Sequence, residues 1–373
     1  MIAMILVGGK GTRLKEITKD TAKPAVSFGA KYRMIDFTLS NLANSNLDVI
    51  GLITQYEPFE LMSYIGRGRS WDLDVLDGGI FFLTPFAKNG DILWQKGTAD
   101  AVRQYFDFVR EYHADYVLIL SGDQIYKMDY QEILRRHLEA NASVTIAATE
   151  VDPKEASRFG ILETDSDGIV TGFEEKPGNP KGNLASMGIY LFNAPVLERL
   201  LRNTETTESL DFGKHVIPAS LREGDRLAAY RFEGYWRDIG TVESLYLANM
   251  DMLEDPDFLG LNVSKNLPVY SKSLNLPPHS ILDTGEVRGS VIADGCVIGG
   301  TVDHCTIGYR TVVRPGAELR DCVVLPGAVI GKDAFLRRVI VNKNVSVPDG
   351  YRLDAETVTV LDETNLERLG GSR

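Results

Sequence analysis

The sequence predicts a chain of two units: an α/β domain with a mostly parallel sheet over residues 1–250, then a linker (251–284), a parallel β-helix (285–360) and a short tail (361–373). Three observations carry this. Up to about residue 250, short β-branched runs alternate with longer amphipathic ones, the pattern of strands covered by helices. Within 254–284, Pro256, Pro268, Pro277 and Pro278 interrupt any long element. From about residue 285 the aliphatic period becomes six. A length of 373 residues, at about 150 per domain, agrees with two or three units.

In chain order, the first strand is expected over 2–7, where an apolar run ends in Gly8 and Gly9. Helices are expected over 37–44, 98–111 and 130–140, the last closed by Asn141, a residue that tolerates the left-handed cap position. Between them, 49–53, 116–120, 144–148 and 187–192 read as buried strands. Toward the C-terminus, an aliphatic set runs Ile307, Val313, Leu319, Leu325, with Ile292 and Ile298 before it and Ile330 and Leu336 after. A second set sits four residues after each: Cys296, Val302, Thr311, Ala317, Val323, Val329, Ala334 and Ile340. Three such hexads make one triangular turn of a β-helix, and its tight corners suit the smaller side chains of the second set.

Composition removes several functional classes. Apolar residues are 44% and charged residues 25%, the balance of an ordinary globular chain rather than a disordered one. Forty Lys and Arg against 52 Asp and Glu give a formal charge of −12, which argues against a general grip on nucleic acid or anionic lipid. Any phosphate site is therefore local. No apolar run approaches the roughly 18 residues of a membrane span, and the start reads as a strand rather than a signal peptide, so a cytoplasmic location is expected. Cys296, Cys305 and Cys322 show neither disulfide nor zinc spacing and suit small core positions.

The chemistry begins at Leu6-Val7-Gly8-Gly9-Lys10-Gly11-Thr12-Arg13-Leu14. Glycines between a strand and a helix let backbone N–H groups approach a phosphate chain, with the helix N-terminus adding partial positive charge. There is no Gly-Lys-[Ser/Thr] of a P-loop and no third glycine of the dinucleotide fingerprint. Lys10, Arg13, Lys15, Lys23, Lys31 and Arg33 crowd the first 33 residues, a patch that suits a triphosphate better than the alternative of a solvated helix face. Asp123 follows the strand 116–120, at the end where open α/β sheets bind ligands; read alone, it suits a helix cap better than a metal ligand. Tyr190 and Trp236 read alone as core aromatics, and Lys176 as belonging to a surface loop.

Gly8 to Leu14 followed by Lys23-Pro24 resembles the signature of the sugar-1-phosphate nucleotidyltransferases. The stretches Ala22-Lys23-Pro24-Ala25-Val26, Ile35-Asp36-Phe37, Leu39-Ser40-Asn41 and Ile53-Thr54-Gln55-Tyr56 are similar to the bacterial ADP-glucose pyrophosphorylase branch. So are Lys96-Gly97-Thr98-Ala99-Asp100-Ala101, Ser121-Gly122-Asp123, Glu174-Glu175-Lys176-Pro177, Ala185 to Tyr190, Asp211-Phe212-Gly213-Lys214 and Tyr235 to Thr241.

The resemblance implies a Rossmann-like nucleotidyltransferase domain with a mixed, mostly parallel sheet, followed by a left-handed parallel β-helix of hexapeptide repeats. It implies adenylyl transfer from ATP to α-D-glucose 1-phosphate, giving ADP-glucose and pyrophosphate for glycogen (α-glucan) synthesis. Arg13, Lys23 and Asp123 would be catalytic. Gly8, Gly9, Gly11, Thr12, Arg13, Gln55, Gly97, Thr98 and Asp123 would bind ATP, and Asp123 with Asp238 would hold Mg²⁺. Glu175, Lys176, Ser186, Tyr190, Asp211 and Trp236 would bind glucose 1-phosphate. A homotetramer, alone or with a regulatory paralogue, is also implied, with neither nucleic acid nor membrane as a partner. The alternatives are a non-catalytic regulatory subunit and a transferase for another sugar phosphate. The regulatory pattern departs from the family: Asp20 stands in Thr18-Lys19-Asp20-Thr21-Ala22-Lys23 where a basic residue is expected, and Gln95 rather than tyrosine follows Trp94. Weak stimulation by fructose 1,6-bisphosphate is expected.

Overall fold

The strand Ile2–Leu6 lies at the centre of a nine-stranded mixed sheet, flanked in parallel by Val49–Ile53 and Tyr116–Ser121. The computed structural model describes every residue except 10, 57, 89, 90, 93, 204–208, 256, 257, 262–266 and 370–373; Lys10 and Pro256 thus lie outside the described residues. Strand side chains alternate between two cores, because successive residues face opposite sides of a sheet. Ile2 and Met4 join Val117 and Ile119 on one face, while Ala3 and Ile5 join Leu118 and Leu120 on the other. Burial on both faces explains why these strands read as continuous apolar runs. Leu184–Asn193 pairs antiparallel with both Tyr116–Ser121 and Val144–Glu150, which makes the sheet mixed.

Local chemistry accounts for several helix boundaries. The helix Met34–Asn44 begins three residues before the expected 37, since the Asp36 carboxylate accepts the Arg33 backbone N–H at 2.9 Å and caps the first turn. The helix Tyr130–Glu139 ends as expected, with Asn141 at φ 46°. The expected helix 98–111 is instead two, Thr98–Gln104 and Phe106–Glu111. No helix breaker causes this: Tyr105 leaves helical geometry where its ring packs edge-on against Phe86. The strand Gly79–Leu83, the hairpin Gly160–Thr164/Val170–Glu175 and the strand Leu227–Arg231 complete the sheet beyond the sequence expectation.

The C-terminal strands form a three-sided coil of parallel ladders. One side stacks Ile281, Ile298, Val313, Ile330 and Val347; the second stacks Val287, Val302, Leu319, Leu336 and Leu353; the third stacks Ile292, Ile307, Val324 and Val341. After a shorter early turn the repeat settles at 17 residues, not 18, so one side of each turn holds five residues. That corrects the hexad register. Val324 fills the coil interior, whereas Leu325, Val323 and Ile340 turn outward to pack with Leu245, Ala248 and Phe37 of the first domain. Cys296, Cys305 and Cys322 are free, buried core thiols. Corner residues stack in left-handed ladders: His304, Asp321 and Arg338; Arg310, Gly327 and Asn344; Gly316, Asp333 and Gly350. The first coil is paired on one side only among the described residues.

The helix Val242–Glu254 joins the two units and runs beyond residue 250, capped at its start by Thr241, whose hydroxyl accepts the Ser244 N–H at 3.1 Å. Tyr246 donates to the Asp321 carbonyl at 3.0 Å and Asn342 to the Glu16 carbonyl at 3.1 Å, so the coil contacts the segment after the glycine turn. No helix among the described residues is long and apolar enough to cross a membrane.

Candidate active site

At the C-terminal ends of Ile2–Leu6, Val49–Ile53 and Tyr116–Ser121 opens a cavity of about 610 Å³. Parallel strands end there on the same side, so loops from distant stretches of the sequence converge. Thr18 donates its hydroxyl to the Gly11 carbonyl at 2.8 Å, and Gly11 sits at φ 61°, which fixes the turn that carries Arg13 into the cavity. Gly11 and Thr12 shape this turn without lining the cavity, while Gly8, Gly9 and Arg13 line it.

The centre is ionic. Lys23, nine-tenths buried on the short turn Lys23–Ala25, donates its ammonium to the Asp123 carboxylate and lies 3.9 Å from Asp238 Oδ1. The Ser121 hydroxyl donates to the other Asp123 oxygen. Asp238 is brought there by pairing of Trp236–Asp238 with Gln124–Tyr126, which sets Asp238 opposite Gln124, next to Asp123. Burial alone would depress the Lys23 pKa, but the two carboxylates outweigh it and raise it. Asp123 shows the complementary balance: burial pushes its carboxyl upward, and Lys23 with the Ser121 hydrogen bond pulls it below the usual range. Burial and the neighbouring charge of Asp123 raise Asp238, against Lys23 and Arg13. The cluster sets one lysine between two acidic side chains whose negative charges oppose each other.

This arrangement fits a hard divalent cation: two carboxylates supply oxygen donors, and a cation would relieve the repulsion that raises Asp238. Among the described residues no group of three or more His, Cys, Asp or Glu could hold a metal, so phosphate oxygens and water would have to complete the coordination.

On one flank Gln55 and Gln95 clasp each other: Gln55 donates to the Gln95 carbonyl at 3.5 Å and Gln95 to the Thr54 carbonyl at 3.3 Å. A side chain on Gly8 would stand 3.2 Å from both, so the glycine keeps this floor open. Gly97, at φ 109°, lies so close to the Leu210 carbonyl that a Cβ would come within 2.5 Å. Thr98 then donates its N–H and hydroxyl to Asp211 Oδ1 at 3.1 and 3.2 Å, which ties both flanks together.

The opposite flank is aromatic and acidic. Trp236 donates its indole N–H to Gln124 at 3.1 Å and packs against Phe159 at 5.2 Å between ring centres. Tyr190 stacks on Phe212, and the Ser186 hydroxyl reaches its oxygen at 3.5 Å. Glu175 and Lys176 enter together, Lys176 at φ 50° with its ammonium 3.5 Å from Glu175 Oε1.

Gln55, Gly97, Thr98, Asp123, Glu175, Lys176, Ser186, Tyr190, Asp211, Trp236 and Asp238 thus line one cavity, together with Lys23. Sequence reasoning does not assign Gln95, Gln124, Arg158, Phe159 and Lys214 to the site, and they line it too; Gln95 is singled out there only for the regulatory pattern. Gln95, Gln124 and Lys214 adjoin or belong to motifs already singled out, a usable signal. Arg158 and Phe159 have none; the turn before Gly160–Thr164 brings them in.

A glycine turn and paired carboxylates at the strand ends of a mixed α/β sheet define a nucleotide-transferring protein. A family model described as nucleotidyl transferase matches residues 2–255, and one described as GlmU-like, C-terminal hexapeptide matches residues 279–362. Over 94% of this chain and 93% of their own length, proteins of Bacillus mycoides (strain KBAB4), Bacillus cereus (strain ATCC 10987 / NRS 248) and Bacillus thuringiensis (strain Al Hakam) are 50%, 49% and 49% identical to it. All three are named glucose-1-phosphate adenylyltransferase. The chain belongs to the glucose-1-phosphate adenylyltransferase family of nucleotidyl transferases.

Proposed function

We propose that the chain transfers the adenylyl group of ATP to the phosphate of α-D-glucose 1-phosphate, releasing pyrophosphate and forming ADP-glucose, the glucosyl donor for glycogen (α-glucan) synthesis. The Lys23–Asp123–Asp238 cluster facing Arg13 carries this reading. Displacement at phosphorus with no covalent enzyme intermediate asks the protein for position and charge. Arg13 and Lys23 hold the triphosphate, and the turn Gly8–Gly9 lets its chain lie against the backbone. Gln55 reads the adenine edge with its amide. Lys176 pairs with the sugar phosphate, Trp236 covers an apolar face of glucose, and Glu175, Ser186, Tyr190 and Asp211 take its hydroxyls. Asp123 and Asp238 would hold Mg²⁺, which when bound neutralises charge on the α-phosphate and the departing pyrophosphate.

A homotetramer assembled partly through the coil, working in the cytoplasm where ATP is at hand, completes the proposal. A non-catalytic regulatory role is disfavoured by the presence of Arg13, Lys23, Asp123, Lys176 and Asp238 in one cavity. The test is the purified chain alone with ATP, glucose 1-phosphate and Mg²⁺. Pyrophosphate release with ADP-glucose identified by mass is expected; no turnover, or turnover only with another sugar phosphate or nucleotide, would overturn the proposal.

A further inference from the structure

The cavity holds more positive charge than the proposed reaction has yet used. Lys23 is committed to Asp123 and Asp238. Arg13 lies on the same side, close enough to favour the ionised form of Asp238. That leaves the sugar phosphate, a dianion near neutral pH, facing Lys176 and Lys214 among Glu175, Asp211 and Asp238. Two point charges, one of them 3.5 Å from its own neighbour Glu175, are a weak counterweight to three carboxylates.

Arg158 stands beside this gap. It ends the short turn Ala156–Arg158, and the Lys176 N–H donates to the Phe159 carbonyl at 3.0 Å, so Arg158 and Lys176 enter from adjoining segments. Arg158 Nη1 donates to Glu155 Oε1 at 2.7 Å, and its guanidinium lies 5.5 Å from the centre of the Phe159 ring, which packs on Trp236. Its charge also acts on Asp238. The residue is therefore held by Glu155 and by the Phe159 ring, in the cavity that Lys176 and Asp238 also line.

We propose that Arg158 is a phosphate-binding residue for the sugar substrate, closing with Lys176 on the phosphate of glucose 1-phosphate. A planar guanidinium offers paired donors matched to two phosphate oxygens, and lysine adds a movable single charge. The two together orient the phosphate oxygen that attacks and discriminate against sugars without a phosphate. This rests on the reading of the cavity as the site of ADP-glucose formation.

The experiment compares wild type, Arg158→Ala and Arg158→Lys under saturating Mg²⁺. Wild-type turnover of glucose 1-phosphate is measured first; its absence defeats the proposed function itself. Given that turnover, Arg158→Ala should raise KM for glucose 1-phosphate by about 10- to 100-fold, the range for losing a charge-assisted contact, with KM for ATP changed less than about twofold. Arg158→Lys should recover some of the loss, and the melting temperature of both variants should stay at the wild-type value. An unchanged KM for glucose 1-phosphate, or an equal rise for ATP, would overturn the role of Arg158.

Discussion

Replacing Asp123 by Asn keeps the size of the side chain and removes one charge from the central cluster. The Ser121 hydroxyl still meets an oxygen acceptor, but Lys23 loses its principal partner and retains Asp238 at 3.9 Å. Removing one member of a buried ion pair costs about 3–5 kcal/mol when the other is stranded. Here Asp238 still faces the lysine, so a loss of about 1–2 kcal/mol of folding free energy is expected at pH 7–8. The pH sign is consistent: the carboxyl of Asp123 is held below its ordinary value of 3.8, so its stabilisation is present above that value and lost as pH falls through the depressed one. Activity should suffer far more. In the proposed role, losing a preorganised charge at the reacting phosphates costs about 10²–10³ in turnover, and removal of a carboxylate that would hold the metal adds to it, so a drop of at least about 10³-fold is expected. Pyrophosphate release at saturating substrates, repeated across a Mg²⁺ titration, measures the drop, while urea unfolding with an unchanged m-value checks the fold. Turnover within tenfold of wild type in a folded variant would refute the assignment.

Gly97→Ala should destabilise the protein and raise KM for ATP at least about tenfold, because a Cβ at φ 109° would stand 2.5 Å from the Leu210 carbonyl; denaturation and initial rates measure both. Burial pushes the Asp36 carboxyl up to about 7 from 3.8, so its contribution to stability is full below 3.8 and lost as pH rises through about 7. Asp36→Asn should therefore flatten the pH dependence of the unfolding free energy across that window, and an unchanged slope would count against it. Fructose 1,6-bisphosphate at millimolar concentration should raise the rate at subsaturating ATP less than about tenfold, since Lys19 is followed by exposed Asp20 and Gln95 faces the catalytic cavity; the same rate assay decides.

What could be read from the sequence was whatever is local. Ile2 to Leu6 is apolar because both faces of a central strand are buried, and Gly8, Gly11 and Asp123 follow strand ends by simple adjacency. The hexads announced the coil but misplaced Leu325. Steps of six carry the interior position from Ile307 to Val313 and Leu319 on successive sides, yet the five-residue step that follows moves it to Val324, a shift that shows only when successive turns are stacked. The broken helix at Tyr105, whose ring packs against Phe86, likewise carries no breaker that announces it in the sequence. Within the candidate site, Arg158 and Phe159 have no signature of their own, since what they do depends on the Glu175–Lys176 segment beside them.

The corner ladders give the coil a unit of length. His304, Asp321 and Arg338 occupy one corner at successive turns, Arg310, Gly327 and Asn344 another, and Gly316, Asp333 and Gly350 the third, each at a spacing of 17. A duplication or deletion of 17 residues, or a multiple of 17, within this stretch keeps all three corners and every interior position in phase, whereas a number out of step with the repeat throws the left-handed corners onto residues that resist them. Each added turn lengthens the column by one strand spacing, about 4.8 Å. Val323, Leu325 and Ile340 hold the later turns to the first domain, while Ala293 and Tyr309 hold the earlier ones at Ala30 and Thr306 meets Asn249. A turn gained between these two holds would shift one against the other by a fixed height. The repeat thus sets both the phase of the coil and the level at which it grips its neighbour.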